Sequence, residues 1–144
     1  MIKTALLFAG QGAQVAGMGK DFADAIPSAR TWFDRANAAL GYDLASVCFQ
    51  GPESELTRTE NAQPGIFLVG WVAFQLLKER VPSLEFEATA GLSLGEFTAL
   101  AAAGFLAAGF FATAAGAAFF LVVFVGIIFL VEMCLGDAPR ALRN

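Results

Sequence analysis

The sequence of 144 residues contains no histidine and only two cysteines. Histidine is the side chain that most often serves as a catalytic base or a metal ligand, so the usual partner of a reactive serine is missing from this chain. Cys48 and Cys134 lie far apart without neighbouring ligands, which argues against both a zinc site and a disulfide framework. The sequence therefore predicts no metal and a reduced, cytoplasmic setting.

Charge is also scarce, because charged residues make up 15% of the chain and the formal net charge is -4. Nothing in the sequence resembles the basic patch that binds a phosphate backbone, so we expect no nucleic-acid partner. The apolar run near the N-terminus is interrupted by Gln11 and Gln14 before it reaches the length of a signal-peptide core. We expect this run to be a first strand, in a single domain of ordinary size.

The spacing of apolar residues predicts alternating strands and helices. The run at 3–9 is expected to be a buried strand that ends in the turn Gly10-Gln11-Gly12. Two helices are expected between Asp21 and Leu40, with Ser28 as the cap of the second. The remaining expected elements are a helix at 65–80, a short strand at 86–90 and a helix at 96–103.

The segment Gly91-Leu92-Ser93-Leu94-Gly95 matches the pattern Gly-x-Ser-x-Gly. In this pattern the glycines permit a sharp turn from a strand into a helix, which exposes the serine hydroxyl at the helix N-terminus. Three fixed positions also recur by chance in chains rich in glycine, so the pattern alone leaves two alternatives, a nucleophile or a coincidence. The expected strand before it and helix after it favour the nucleophile.

Four segments together resemble one family, in the right order and at suitable separations. They are LLFAGQGAQ at 6–14, GYDL at 41–44, GPESELTRTENAQPGIF at 51–67 and GLSLGEFTALAAAG at 91–104. This stretch of about residues 1–104 is similar to the N-terminal portion of the malonyl-CoA:acyl carrier protein transacylases and related acyltransferase domains. The resemblance implies an α/β fold, with a hydrolase-like three-layer parallel sheet flanked by helices.

The resemblance also implies a reaction, its substrates and its site. A serine takes the malonyl group from coenzyme A as an ester, and the phosphopantetheine thiol of acyl carrier protein then removes it, in fatty acid biosynthesis. Ser93 matches the nucleophile, and the backbone N–H groups of Gln11 and Leu94 match the oxyanion hole. The implied reaction needs no cofactor, since the coenzyme A thioester is a substrate. For Gln63, within the third segment, we expect a structural role.

This sequence departs from the family at residues that the reaction uses. The family's catalytic base is a downstream histidine, and the family pairs the malonyl carboxylate with an arginine about 25 residues past the serine. Here histidine is absent and no arginine or lysine lies between Arg80 and Arg140, so the substrate-binding residues remain unknown. We therefore expect impaired activity, and acyl preference rests on resemblance alone. The alternatives are a non-catalytic fragment that binds coenzyme A or the carrier protein, and a membrane-tethered remnant.

The last third of the chain changes in character. From Phe97 to Val131 no residue is charged, a length beyond the ~20 apolar residues that cross a bilayer. We divide the chain into an acyltransferase portion at 1–107 and a divergent apolar tail at 108–144, with the family's ferredoxin-like subdomain absent. Three explanations for the tail stay open: a shifted reading frame after about Ala115, a membrane helix at 108–131, or a buried helix.

Overall fold

The computed structural model of the protein describes residues 3–104. The predicted tail at 108–144 lies outside the described residues. Two strands and six helices follow one another along the described part: β1 Ala5–Phe8, α1 Lys20–Ala25, α2 Pro27–Leu40, α3 Leu44–Gln50, α4 Glu53–Leu56, α5 Thr59–Arg80, β2 Ala88–Gly91 and α6 Gly95–Ala102.

The two strands pair in parallel, in a register that runs from Ala5 opposite Ala88 to Phe8 opposite Gly91. Parallel partners need a crossover connection, and here helices α1 to α5 form it. Both strands therefore end at the same edge of the sheet, where the loop after β1 and the turn after β2 become neighbours. A parallel pair connected through helices fits the predicted α/β class.

The prediction that β1 is a buried strand is wrong for one of its faces. Leu6 and Phe8 pack against the core, whereas Ala5 and Leu7 point away from it and Leu7 is 80% exposed. Successive side chains of a strand point to opposite faces, and within residues 3–104 the helices cover only the face that carries Leu6 and Phe8.

The core is built around α5. Phe67, Leu68 and Val72 of this helix are fully buried together with Phe33 of α2 and Leu44 of α3. Each such side chain contributes about 1.5–3 kcal/mol by leaving water. Close packing is possible because α5 has glycine where neighbours approach: a Cβ on Gly65 would lie 2.8 Å from the Met18 side chain and 3.0 Å from Cys48 Sγ.

Helix α5 begins six residues before the predicted start, and Pro64 lies inside it. Proline lacks the N–H that would bond the carbonyl four residues earlier, which belongs to Glu60. The Tyr42 hydroxyl donates to this Glu60 oxygen at 3.1 Å. A side chain 18 residues away in the sequence thus replaces the missing helical hydrogen bond, and proline is accommodated within the helix.

The predicted break between α1 and α2 is correct, but its predicted cap is wrong. Pro27 occupies the first turn of α2, where its missing N–H is harmless, and the cap position falls on Ile26, which offers no side-chain acceptor. Ser28 already lies within the helix, and its hydroxyl donates to Glu79 Oε2 at 2.9 Å. This serine therefore links α2 to the end of α5.

No helix within residues 3–104 combines the length and the hydropathy that crossing a bilayer requires. The alternative anchor at 108–131 lies outside the described residues.

Replacing Tyr42 with phenylalanine tests the contact to Glu60. Loss of the hydroxyl leaves this carbonyl with neither a helical nor a side-chain donor, so we expect Tyr42→Phe to lower the free energy of unfolding by about 0.5–1.5 kcal/mol. In a Pro64→Ala background the alanine N–H supplies a donor, and the same change should have a smaller effect. Urea unfolding of the four variants measures this coupling, and equal effects in both backgrounds would contradict it.

Burial raises the pKa of the Cys48 thiol to about 12. A thiol in the unfolded chain ionises near its ordinary pKa of about 8.5, so above that pH the unfolded state binds fewer protons than the folded state. Stability should therefore fall as pH rises from about 9 towards 12, by up to about 1.4 kcal/mol per pH unit.

The contribution of Cys48 is measured as the difference in pH slope between a Cys134→Ser parent and its Cys48→Ala derivative, by urea unfolding at several pH values. The pKa of the Tyr42 hydroxyl is also raised, chiefly by burial and then by Cys48 and Glu60. Both proteins therefore carry Tyr42→Phe, which removes the contribution of this hydroxyl from the comparison. Identical slopes would show that the Cys48 thiol ionises as readily in the folded state as in the unfolded chain.

Candidate active site

Ser93 lies on a sharp turn between β2 and α6. It has a φ of 53° and is the one non-glycine residue with a left-handed backbone among residues 3–104. This conformation is unfavourable for an L-residue by about 1–2 kcal/mol, and such strain persists only where the surroundings enforce it. The side chain is exposed, so the turn presents the hydroxyl to solvent, as the predicted nucleophile requires.

Two glycines permit this turn, each for its own reason. A Cβ on Gly91 would lie 2.0 Å from the carbonyl carbon of Gly95, within the turn itself. A Cβ on Gly95 would lie 2.3 Å from the carbonyl oxygen of Phe8, at the end of the neighbouring strand. Both distances are shorter than any real contact, so the turn closes, and α6 starts against β1, only with glycine at these positions.

Hydrogen bonds hold the turn from both sides. The Leu92 N–H donates to the Phe8 carbonyl at 3.2 Å, which extends the sheet by one bond, and the Gly95 N–H donates back to the Leu92 carbonyl at 2.9 Å. The Leu94 side chain is buried in the core at 3% exposure. The residues on either side of Ser93 are thus anchored, and this anchoring enforces the strained backbone of the serine.

The backbone N–H of Leu94 lies at the start of α6, where the helix dipole favours negative charge. Within residues 3–104 this N–H donates to no backbone or side-chain acceptor in the turn. It is therefore available to a developing oxyanion, in the position that Gly-x-Ser-x-Gly sites use.

The glycine loop, residues Gly10 to Gly12, packs directly against the serine turn. A Cβ on Gly10 would lie 2.2 Å from the Leu92 carbonyl oxygen, so the two backbones touch here. Gly12 has a φ of 103°, and its N–H donates to the Gln14 side chain at 2.8 Å. Gln11 lies between the two glycines and is exposed. The structure therefore brings the three predicted site residues, Ser93, Gln11 and Leu94, to one edge of the sheet.

Gln63 is a residue of this region whose position the sequence did not indicate. Its Nε2 donates to Gln11 Oε1 at 3.5 Å, across 52 residues of sequence. Its own Oε1 is buried without a hydrogen-bond partner. Side-chain contacts of such sequence separation have no local pattern, so only the fold could reveal this one.

The site lacks a base for the serine within the described residues. No side chain among residues 3–104 forms a hydrogen bond with the Ser93 hydroxyl in the structure, and the chain has no histidine. Glu96 is exposed in the first turn of α6, where a carboxylate is stabilised by the helix dipole. Nor does this part of the chain contain a group of three side chains able to hold a metal ion.

An apolar cavity of about 170 Å³ lies behind the glycine loop. It is lined by residues of β1, of the loop that follows and of helices α5 and α6: Phe8, Ala9, Ala13, Met18, Ile66, Val69, Gly70 and Thr98. Its walls contain no charged side chain, so no residue of the cavity would form an ion pair with a carboxylate.

A turn of this kind, with a glycine loop packed against it, is found in enzymes that transfer acyl groups through a serine. The family model described as "Acyl transferase domain" matches residues 5–118. The chain therefore belongs to the acyl transferase domain family.

Within this family, its relatives include malonyl CoA-acyl carrier protein transacylases. The chain is 44% identical to the one from Bacillus subtilis strain 168 over 106 residues, which are 74% of this chain and 33% of that protein. With the one from Escherichia coli K12 the identity is 37% over 107 residues, 72% of this chain and 33% of the relative. The chain thus spans 33% of the length of these relatives.

Solved structures agree with the sequence relatives. The MCAT from Streptococcus pneumoniae matches 71% of this chain and 32% of its own, with a TM-score of 0.65 and 45% identity. A malonyl-transacylase in complex with a holo type II PKS acyl-carrier protein matches 72% of this chain and 33% of its own, with a TM-score of 0.64 and 39% identity. The described residues therefore share the fold of the corresponding part of these transacylases.

The backbone strain at Ser93 can be measured by comparing two variants that both lack the hydroxyl. Ser93→Gly relieves the left-handed backbone, whereas Ser93→Ala keeps it. We expect the glycine variant to be the more stable of the two by about 1 kcal/mol. Urea unfolding measures this difference. An alanine variant as stable as the glycine variant would mean that the turn holds Ser93 without strain.

Proposed function

We propose that this chain carries the nucleophile of a malonyltransferase, which moves a malonyl group from coenzyme A to the phosphopantetheine thiol of acyl carrier protein. The observation that carries the proposal is the exposed hydroxyl of Ser93 on its strained turn, with the glycine loop in contact beside it. Support also comes from relatives named as malonyl CoA-acyl carrier protein transacylases.

In the proposed first step, the Ser93 oxygen attacks the thioester carbonyl carbon of malonyl-CoA. The carbonyl oxygen becomes an oxyanion, and the N–H groups of Leu94 and Gln11 stabilise it by hydrogen bonds. The carbon–sulfur bond then breaks, coenzyme A leaves as its thiol, and a seryl ester remains. In the second step the thiol of the carrier protein attacks this ester and regenerates the serine. Neither step requires a cofactor.

Proton transfer from the serine is the step of this mechanism that the chain supports least. The serine hydroxyl must lose its proton during attack, and a neighbouring base normally accepts it. Since the 144 residues contain no histidine, we propose that acylation of Ser93 in this chain is slow and is driven by the oxyanion hole and by substrate binding. Such contributions alone retain a part of the rate in serine enzymes.

The wider context of the site is likewise a proposal. The described pair of parallel strands would belong to a hydrolase-like three-layer sheet, of which residues 3–104 contain one helical layer. The ferredoxin-like subdomain has no counterpart within those residues.

A partner of the carrier-protein class is supported by the transacylase that was solved with its acyl-carrier protein. For location we propose the cytoplasm.

A second candidate is a fragment that binds coenzyme A or the carrier protein without catalysis. The absence of histidine, and of any basic residue between Arg80 and Arg140, favours it, because the base and the carboxylate partner of the implied reaction are then both missing. This candidate predicts binding that is unaffected by Ser93→Ala and leaves no covalent adduct.

The intact mass of the protein after incubation with malonyl-CoA separates the two functions. We expect a slow increase by one malonyl group in the parent and none in Ser93→Ala, since the seryl ester is the only adduct the mechanism allows. Added imidazole supplies the missing base from solution, so it should accelerate acylation in the parent alone. An adduct of equal size on both proteins would place the malonyl group elsewhere.

A parent that gains no mass, with or without imidazole, would contradict the transferase. Retention of coenzyme A by both proteins in equilibrium dialysis would then support the binding fragment.

A further inference from the structure

The glycine loop has one tertiary hydrogen bond to a helix side chain within the described part of the chain, and Gln63 supplies it. The Gln63 amide donates to Gln11 Oε1 at 3.5 Å. The other hydrogen bonds of the loop are local, from the Ala13 N–H to the Gly10 carbonyl at 3.2 Å and from the Gly12 N–H to the Gln14 side chain at 2.8 Å. Local bonds shape the loop, but they do not fix where Gln11 lies relative to the rest of the protein.

The environment of Gln63 is unfavourable for a glutamine whose only role is to stabilise the fold. Its Oε1 is buried without a hydrogen-bond partner, and an unpaired buried acceptor lowers stability. An apolar side chain of the same length would avoid this loss. The Gln63 amide is therefore better explained by its hydrogen bond to Gln11 in the glycine loop than by a contribution to packing.

The helix that carries Gln63 is held firmly at this point. Pro64 follows directly, and the Tyr42 hydroxyl closes the gap that the proline leaves at the Glu60 carbonyl. Two residues before Gln63, the Asn61 side chain donates to the Glu55 carbonyl at 2.9 Å. A side chain on a helix anchored by these hydrogen bonds defines a position more accurately than one on a loop.

We infer that Gln63 is a positioning residue, whose amide holds Gln11 so that the backbone N–H groups of Gln11 and Leu94 converge on the oxyanion. This inference rests on the proposed function of the site. The contact of 3.5 Å is long for an amide pair. Hydrogen bonds in ligand-free sites are often long and shorten when substrate binds, and the same shortening is expected here as the loop closes on the oxyanion.

The variant Gln63→Met tests the inference because it removes the donor and the unpaired oxygen together while it keeps the length of the side chain. We expect its melting temperature to equal or exceed that of the parent. A fluorophosphonate, whose phosphoryl oxygen occupies the oxyanion position once the Ser93 oxygen has displaced fluoride, should label the variant about tenfold more slowly, which corresponds to one hydrogen bond. Gln75→Met makes the same change further along α5 and should label at the parent rate.

A double variant shows whether Gln63 acts through Gln11. If it does, Gln11→Met should slow labelling about as much as Gln63→Met, and the two changes together should be no worse than either alone. Additive effects would overturn the inference, because the residues would then act independently. So would a Gln63→Met variant that melts lower than the parent but labels at the parent rate, since the role would then be structural.

Hydrogen exchange of the loop provides a measurement that needs no activity. Amides in a peptide spanning residues 9–18 should exchange faster in Gln63→Met than in the parent, and unchanged in Gln75→Met. Should the parent fail to label at Ser93 at all, the proposed function fails while this comparison still decides the role of Gln63. Unchanged exchange in Gln63→Met would overturn it.

Discussion

Two backbone carbonyls at the edge of the sheet determine the geometry of the whole site. The carbonyl of Phe8 accepts the Leu92 N–H and lies against Gly95, and the carbonyl of Leu92 accepts the Gly95 N–H and lies against Gly10. Since these contacts join backbone to backbone, they leave no room for side chains and little freedom to adjust. The contacts of these two carbonyls fix the strained backbone of Ser93, the start of α6 and the position of the glycine loop.

The helices serve the site by holding the two strand ends in register. Helix α5 packs its buried face against α2 and α3, and its Phe74 makes an edge-on ring contact with Phe8 of β1 at 6.4 Å. On the other strand, the Thr89 hydroxyl donates to the Ala99 carbonyl of α6 at 3.1 Å. Helices thus pack against both strands of the sheet. A pair of strands this short would be only marginally stable without such packing.

Local signals in the sequence predicted much of this arrangement. Pairs of glycines predicted both turns of the site, and the spacing of apolar residues predicted the strands and most of the helices. These features depend on neighbours within a few residues, so a local pattern is enough to predict them. The errors came from distant partners. The predicted helix start at 65 is wrong because the donor that compensates for Pro64, the Tyr42 hydroxyl, lies far away in the sequence, and the predicted Ser28 cap is wrong because this hydroxyl donates to Glu79.

The residues of the candidate site likewise divide into those that the sequence predicted and those whose contacts only the fold reveals. Ser93 and Leu94 belong to one short motif, and the family resemblance added Gln11, whereas the contact of Gln63 with Gln11 depends on the tertiary fold. The exposed face of β1 was not expected either, because an apolar run in sequence does not reveal which of its two faces other elements will cover.

The parallel register has a consequence for the order in which the protein folds. Ala5 pairs with Ala88, which lies 83 positions further along the chain. Contacts of such separation form slowly, since the intervening chain must be ordered before they become favourable. During synthesis, β1 and all five helices between the strands leave the ribosome before β2 and the serine turn. The turn at Ser93 can therefore form only after β1 and the helices between the strands have been synthesised, because its hydrogen bond from the Leu92 N–H to the Phe8 carbonyl needs the end of β1 beside it.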